Sequence, residues 1–106
     1  MQQGDIVILE FPYANTTHTK VRPALVLSNK SYNKHANVLL VGIYGKKQPC
    51  AVRITNNDLQ KKRLRKESFV SIQNIFSADK SLIKQIVDSV TEKTLARILT
   101  ETKRYL

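Results

Sequence analysis

The sequence predicts a mainly β fold, a small barrel or twisted sheet of antiparallel strands carrying one C-terminal α-helix. Three observations predict it. Short runs of β-formers alternate with polar segments, a single stretch of helical period lies near the C-terminus, and no strand–helix–strand alternation of a parallel α/β sheet appears. A chain of 106 residues supports one core rather than two, so a single domain over 1–106 is expected, with no internal repeat or low-complexity linker to divide it.

Asp5 to Phe11 (D-I-V-I-L-E-F) is a run of β-formers stopped by Pro12, which cannot continue a hydrogen-bonded ladder. Residues 13–20 (Y-A-N-T-T-H-T-K) are short and polar and bond readily to their own backbone, so they are expected to form an exposed loop holding Tyr13, His18 and Lys20. Val21 to Ser28 is the second expected strand, with Pro23 near its start, where a missing N–H is tolerated, and Asn29 to Asn37 is a polar connection. Val38 to Tyr44 is β-branched and apolar on both faces, as a central strand must be. Gly42 within it signals a bulge or a close backbone approach.

Gly45 to Pro49 makes a basic turn, and Ala51 to Thr55 then alternates, with Val52 and Ile54 inward and Arg53 outward. A further short strand is expected at Glu67 to Ile72, around Phe69 and Val70, followed after Ser77 to Ser81 by a last strand at about Leu82 to Val90. Thr91 offers a side-chain oxygen to the free amides of a helix starting at Glu92, itself well placed at the positive end of the helix dipole. Leu95, Ile98, Leu99 and Leu106 recur at helical spacing and predict docking by one stripe, with Lys103 and Arg104 suiting the negative end.

Eighteen Lys and Arg against eight Asp and Glu give a net charge of +10, a field that concentrates polyanions at the surface. Nucleic acid or an acidic protein is therefore the expected partner. The densest charge is Lys61, Lys62, Arg63, Arg65 and Lys66, interrupted only by Leu64. Such a block repels itself unless solvent or an anion screens it, and it reads as a loop or a frayed helical turn. Cys50 is the only cysteine, which excludes an internal disulfide and, with just His18 and His35 to help, argues against a structural zinc site; a buried or incidental thiol is the simplest reading. No apolar run approaches the roughly 18 residues that cross a bilayer, and Met1-Gln2-Gln3-Gly4-Asp5 lacks the features of an export signal, so a soluble cytoplasmic protein is expected.

Gly4-Asp5-Ile6-Val7 followed by Arg22-Pro23-Ala24-Leu25-Val26-Leu27-Ser28 resembles the PemK/MazF toxins of type II toxin–antitoxin pairs, whose first two strands carry a Gly-Asp/Glu start and an Arg-Pro-x-Leu-Val signature. Val38 to Tyr44 resembles the family's third strand. Ser68 to Ile75 resembles the strand leading into an Arg-Thr-Ile-Asp-like segment, here Phe76-Ser77-Ala78-Asp79, and a C-terminal helix follows in both. The resemblance covers essentially the whole chain. It implies an SH3-like (CcdB/PemK-like) barrel forming a homodimer, a metal-independent endoribonuclease acting on single-stranded RNA with no cofactor, and an antitoxin whose disordered tail occupies the RNA groove.

Cutting RNA without a metal uses the substrate's own 2′-hydroxyl, so the protein must accept its proton, neutralise a phosphorane and protonate the departing 5′-oxygen. The family's catalytic arginine maps onto Arg22, whose planar fork of donors matches phosphate oxygens; the alternative is a structural ion pair to Asp5 or Glu10. Many relatives place Thr or Ser at the end of the third strand. This chain has Tyr44 there, and a phenol donates a hydrogen bond or a proton but is no ready base at neutral pH. Some relatives use an Arg and an Asp before the Arg-Thr-Ile-Asp-like segment, where Ser71 and Gln73 stand here. His18 is the candidate to compensate, since an imidazole exchanges protons near neutrality, against the alternative of an idle surface histidine.

Tyr13 and Tyr32 are candidates to stack on unpaired bases, and Lys20, Lys46 and Lys47 to follow phosphates, against the alternative of ordinary surface residues. For Lys61 to Lys66 the alternatives are a solvated loop, phosphate attraction, or docking of an acidic antitoxin tail. Two functions stay open: an RNA-cutting toxin, and a binding module on the same barrel that holds nucleic acid or antitoxin, or blocks a protein target as gyrase-poisoning relatives of this fold do.

Overall fold

The computed structural model describes residues 1–12 and 19–106; Tyr13 and His18 lie outside the described residues. Among the described residues six strands, β1 (Asp5–Pro12), β2 (Thr19–Val26), β3 (Asn37–Tyr44), β4 (Ala51–Ile54), β5 (Ser68–Asp79) and β6 (Ile83–Ser89), precede one helix, α1 (Glu92–Arg104). The strands form one antiparallel sheet in the order β4-β5-β3-β2-β1-β6.

The two edges of that sheet meet. Leu59, beyond β4, bridges to Val90, beyond β6, while Gln60 N–H donates to Ser89 O at 2.8 Å and Thr91 N–H to Asp58 O at 2.9 Å. These bonds bring the sheet round into a barrel, the mainly β architecture with a C-terminal helix that the sequence predicts.

Alternation along the strands explains the two groups of buried side chains. Ile6, Leu25, Val41, Ile43, Ile54, Val70 and Ile98 of α1 belong to one cluster, and Val7, Leu9, Ala24, Val26, Val38, Leu40 and Ala78 to the other. β1, β2 and β3 therefore bury both faces, which is why β3 reads as apolar throughout.

Three expectations need correction. Lys20 stands in β2, paired across to Phe11, rather than in a loop, because the β1–β2 ladder runs on to Pro12 and Thr19. Strand β2 ends at Val26, with Leu27 N–H still donating to Leu39 O at 2.9 Å; beyond it the hydroxyl of Ser28 donates to Asn33 Oδ1 and accepts Leu39 N–H at 3.0 Å, which ties the connection after β2 to the start of β3. β5 does not stop at Ile72 but runs for twelve residues from Ser68 to Asp79, pairing with β4 at its start and with β3 along most of its length.

Thr91 caps α1 as expected, its Oγ1 accepting Thr94 N–H at 3.3 Å. The docking stripe holds in part, since Leu95 packs against the core cluster as expected. Ile98 is fully buried and Thr94 and Thr102 are buried beside it, whereas Leu106 lies past the helix end at 92% exposure. Thr94 and Thr102 fit a buried face because their hydroxyls are satisfied, by Asp58 Oδ1 at 2.7 Å and by Ile98 O at 2.8 Å. No helix among the described residues is long and apolar enough to cross a membrane.

Candidate functional site

Lys20, Arg22, Ala24 and Val26 share one face of β2 by the two-residue period, and Leu40, Gly42 and Tyr44 share the matching face of β3. The β2–β3 ladder runs from the Val26–Leu40 pair to the Ala24–Gly42 pair; Arg22 lies two residues beyond that last pair on β2 and Tyr44 two residues beyond it on β3. Arg22 is exposed and sits opposite Leu9 of β1. Its suggested structural partners are engaged elsewhere. The Asp5 carboxylate accepts Gln2 N–H at 2.8 Å, and Glu10 pairs with Lys84 at 2.7 Å. Among the described residues Arg22 makes no ion pair, so its guanidinium faces solvent beside the Tyr44 strand.

A large bulge shapes the third side of the site. Val41 pairs with Ile75 but Ile43 with Val70, so four residues of β5, Ser71 to Asn74, stand against the single residue Gly42. There the Asn74 side-chain amide donates to Tyr44 Oη. A Cβ on Gly42 would lie 2.5 Å from Asn74 Nδ2 and 3.2 Å from Tyr44 Oη, so only glycine lets the amide and the phenol meet over the backbone. With one acceptor position of its oxygen occupied, Tyr44 has its own O–H to direct at a ligand.

The remaining candidates divide. Lys46 and Lys47 are exposed in the turn directly after Tyr44, and Gln73 is exposed within the bulge. Ser71 is only 3% exposed, opposite Ala51, which keeps its hydroxyl from solvent. Tyr32 belongs to the connection after β2, at the end of that strand away from Arg22, and meets His35 edge-on with ring centroids 6.4 Å apart. Cys50 is exposed, not buried. No group of three His, Cys, Asp or Glu side chains that could hold a metal occurs among the described residues.

Asn74 is the residue that sequence reasoning missed. Its partner lies 30 positions away, and an isolated asparagine in a β-like run carries no local signal. The one hint is Gly42, whose missing side chain already calls for a close approach.

The described residues form an antiparallel β-barrel with a C-terminal helix, carrying on β2 an exposed arginine without an ion pair among the described residues and at the end of β3 a hydrogen-bonded tyrosine. The family model that matches residues 2–106 is described as a PemK-like, MazF-like toxin of type II toxin–antitoxin systems; the chain belongs to that family. Among solved structures it is similar to an endoribonuclease in complex with its cognate antitoxin from a mycobacterial species, at 23% identity and a TM-score of 0.77 over 98% of this chain and 90% of that one. A mycobacterial endoribonuclease gives 20% identity and a TM-score of 0.78 over 98% and 88% of the two chains. The Mycobacterium tuberculosis toxin MazF-mt6 gives 18% identity and 0.67 over 91% and 90%. No curated protein matches the chain at a significant level. At these identities the structural likeness speaks for the fold.

Proposed function

We propose that this toxin-family chain is a metal-independent, sequence-selective endoribonuclease that cuts single-stranded RNA through the substrate's own 2′-hydroxyl. The observation that supports this reading is Arg22, exposed and without an ion pair among the described residues, two positions past the Ala24–Gly42 pair on β2, with Tyr44 two positions past it on β3 and its oxygen held by Asn74. In the reaction the 2′-oxygen bonds to the adjacent phosphorus, losing its proton, and the bond from phosphorus to the 5′-oxygen breaks, leaving a 2′,3′-cyclic phosphate and a 5′-hydroxyl. Arg22 neutralises the phosphorane through its paired N–H donors, and Tyr44 donates to the phosphoryl or the departing 5′-oxygen. The 2′-proton needs a base; His18 is the candidate in the segment before β2. Lys20, on the same face as Arg22, with Lys46 and Lys47 beyond Tyr44, guides phosphates. Tyr13 is the candidate for base stacking and Gln73 for contacts beside the bulge.

The same reading gives the protein a cognate acidic antitoxin, a homodimeric state, a cytoplasmic location and no cofactor. A second reading, a binding module that holds RNA or antitoxin without cutting, is favoured by one observation: Ser71 is buried and Gln73 carries no charge, so neither supplies an acid or a base.

The test is incubation with a long single-stranded RNA in EDTA at low salt, with new ends mapped by primer extension and Arg22→Ala run in parallel. Cuts at a short recurring sequence that vanish in the variant are expected. RNA that stays whole yet shifts on a gel would leave the binding module.

A further inference from the structure

The block from Lys61 to Lys66 is not a frayed segment. Asp88 of β6, 3% exposed, turns its carboxylate onto the backbone of this loop: Oδ1 accepts Lys61 N–H at 2.8 Å and Oδ2 accepts Arg63 N–H at 3.1 Å, with Ser89 N–H also on Oδ1 at 2.8 Å. From the other side Asn56 donates to Leu64 O at 3.0 Å and accepts Leu64 N–H at 2.8 Å. Leu64 itself packs against the core cluster, and Lys62 is held at φ 54°, a left-handed conformation that a lysine does not adopt unforced. A buried carboxylate, a two-bonded amide and an apolar anchor thus fix the loop backbone.

The side chains on that backbone find no counter-charge among the described residues. Among the described residues none of the five cations makes an ion pair, although carboxylates are near in sequence and in the sheet. Asp88 is engaged with amides, Asp58 with Arg97 at 3.7 Å, and Glu67 with Arg53. The block is also continuous with the site described above. The Cε and Nζ of Lys66 lie 2.7 and 2.9 Å from where a Cβ on Gly45 would stand, so the last cation of the loop rests on the residue next to Tyr44.

We infer that this latched loop is a preformed track for the phosphates of the RNA strand leading away from the Arg22–Tyr44 site, with Asp88 and Asn56 as its positioning residues. Fixed spacing and absent internal partners favour a polyanion that binds without reordering the loop, and the contact with Gly45 favours the strand already held at Tyr44 over a separate acidic peptide. The inference rests on the RNA reading of the site.

A labelled single-stranded RNA with 2′-O-methyl riboses throughout, which cannot be cut, gives the test by fluorescence anisotropy over a salt series. Lys62→Gln, Arg63→Gln and Arg65→Gln combined alter exposed side chains and leave the backbone latch intact; circular dichroism checks the fold. The slope of log affinity against log salt is expected to fall by about 0.7 for each cation that touches phosphate. Asp88→Asn keeps all five cations and raises the net charge by one, yet sets an amide donor against a backbone N–H. If charge alone mattered it would bind more tightly; the latch requires binding weaker by about threefold or more. Asn56→Ala, which loosens the opposite side, is expected to weaken binding likewise. An unchanged slope in the triple variant, with wild-type RNA cleavage intact, overturns the track alone, and so does a triple variant that loses only binding of a polyglutamate probe. A wild-type protein that neither binds nor cuts RNA overturns the track together with the proposed function.

Discussion

Asn74 Nδ2 and the Tyr44 phenol occupy the space a side chain at position 42 would fill, so this one glycine controls both. Gly42→Ala is expected to force them apart, lowering stability by about 1–3 kcal/mol in urea unfolding, the usual cost of overpacking, and abolishing RNA cleavage. Arg22→Ala should behave oppositely. Its guanidinium is exposed and without an ion pair among the described residues, so unfolding should move by no more than about 0.5 kcal/mol while cleavage is lost. At this scale the sequence is partly legible. Arg22 and Tyr44 stand out through the family resemblance of the Arg-Pro motif and of the third strand's end, and Gly42 by being a glycine in an apolar run. Asn74 and Asp88 do not, because their worth comes from partners 30 and 25 to 27 residues away, and no local pattern encodes such pairings.

Between the strands and the helix, Asp58 is the joint. It accepts Thr55 N–H at 2.8 Å, closing a capping box on the turn after β4, and it accepts the Thr94 hydroxyl of α1 while Arg97 stands at 3.7 Å. Burial alone would push its carboxyl upward, but the Thr55 amide, the Thr94 hydroxyl and the Arg97 charge outweigh it and hold the group below its ordinary value. A carboxyl lowered in the folded state stabilises the fold above the unfolded pKa, near 4 for aspartate, and that contribution disappears as pH falls through the folded value. Urea midpoints for Asp58→Asn should therefore lie below wild type at neutral pH and converge with it in acid. The helix and its Thr91 cap are readable from sequence because capping and period are local signals. The full extent of β5 is not, since the bulge at Ser71 to Asn74 interrupts the alternation on which strand reading depends.

For the molecule as a whole, stability resides in two buried clusters on opposite faces of the central strands. Leu40 and Ile98, both fully buried, each represent one. Truncating either to alanine should cost about 2–5 kcal/mol in equilibrium unfolding, and Leu40→Ala, two residues from Gly42 on the face that carries Tyr44, is the one expected also to reduce RNA cleavage. The sequence predicts the mainly β barrel from its strand runs, its terminal helix and the family resemblance, but not which residues close it, because the Leu59–Val90 bridge joins residues from two connecting segments. That closure also governs the order of assembly. β1 pairs with β2 on one side and on the other with β6, more than seventy residues later. A growing chain can zip β1 to β2 and β3, but β1 keeps a bare edge, and the barrel stays open, until residues 83–90 have emerged. Since long-range pairing of this kind is slow to form, closure is expected to lag behind the zipping of β1 to β2 and β3, and a chain caught before that step exposes the free edge of β1 to pairing with another chain.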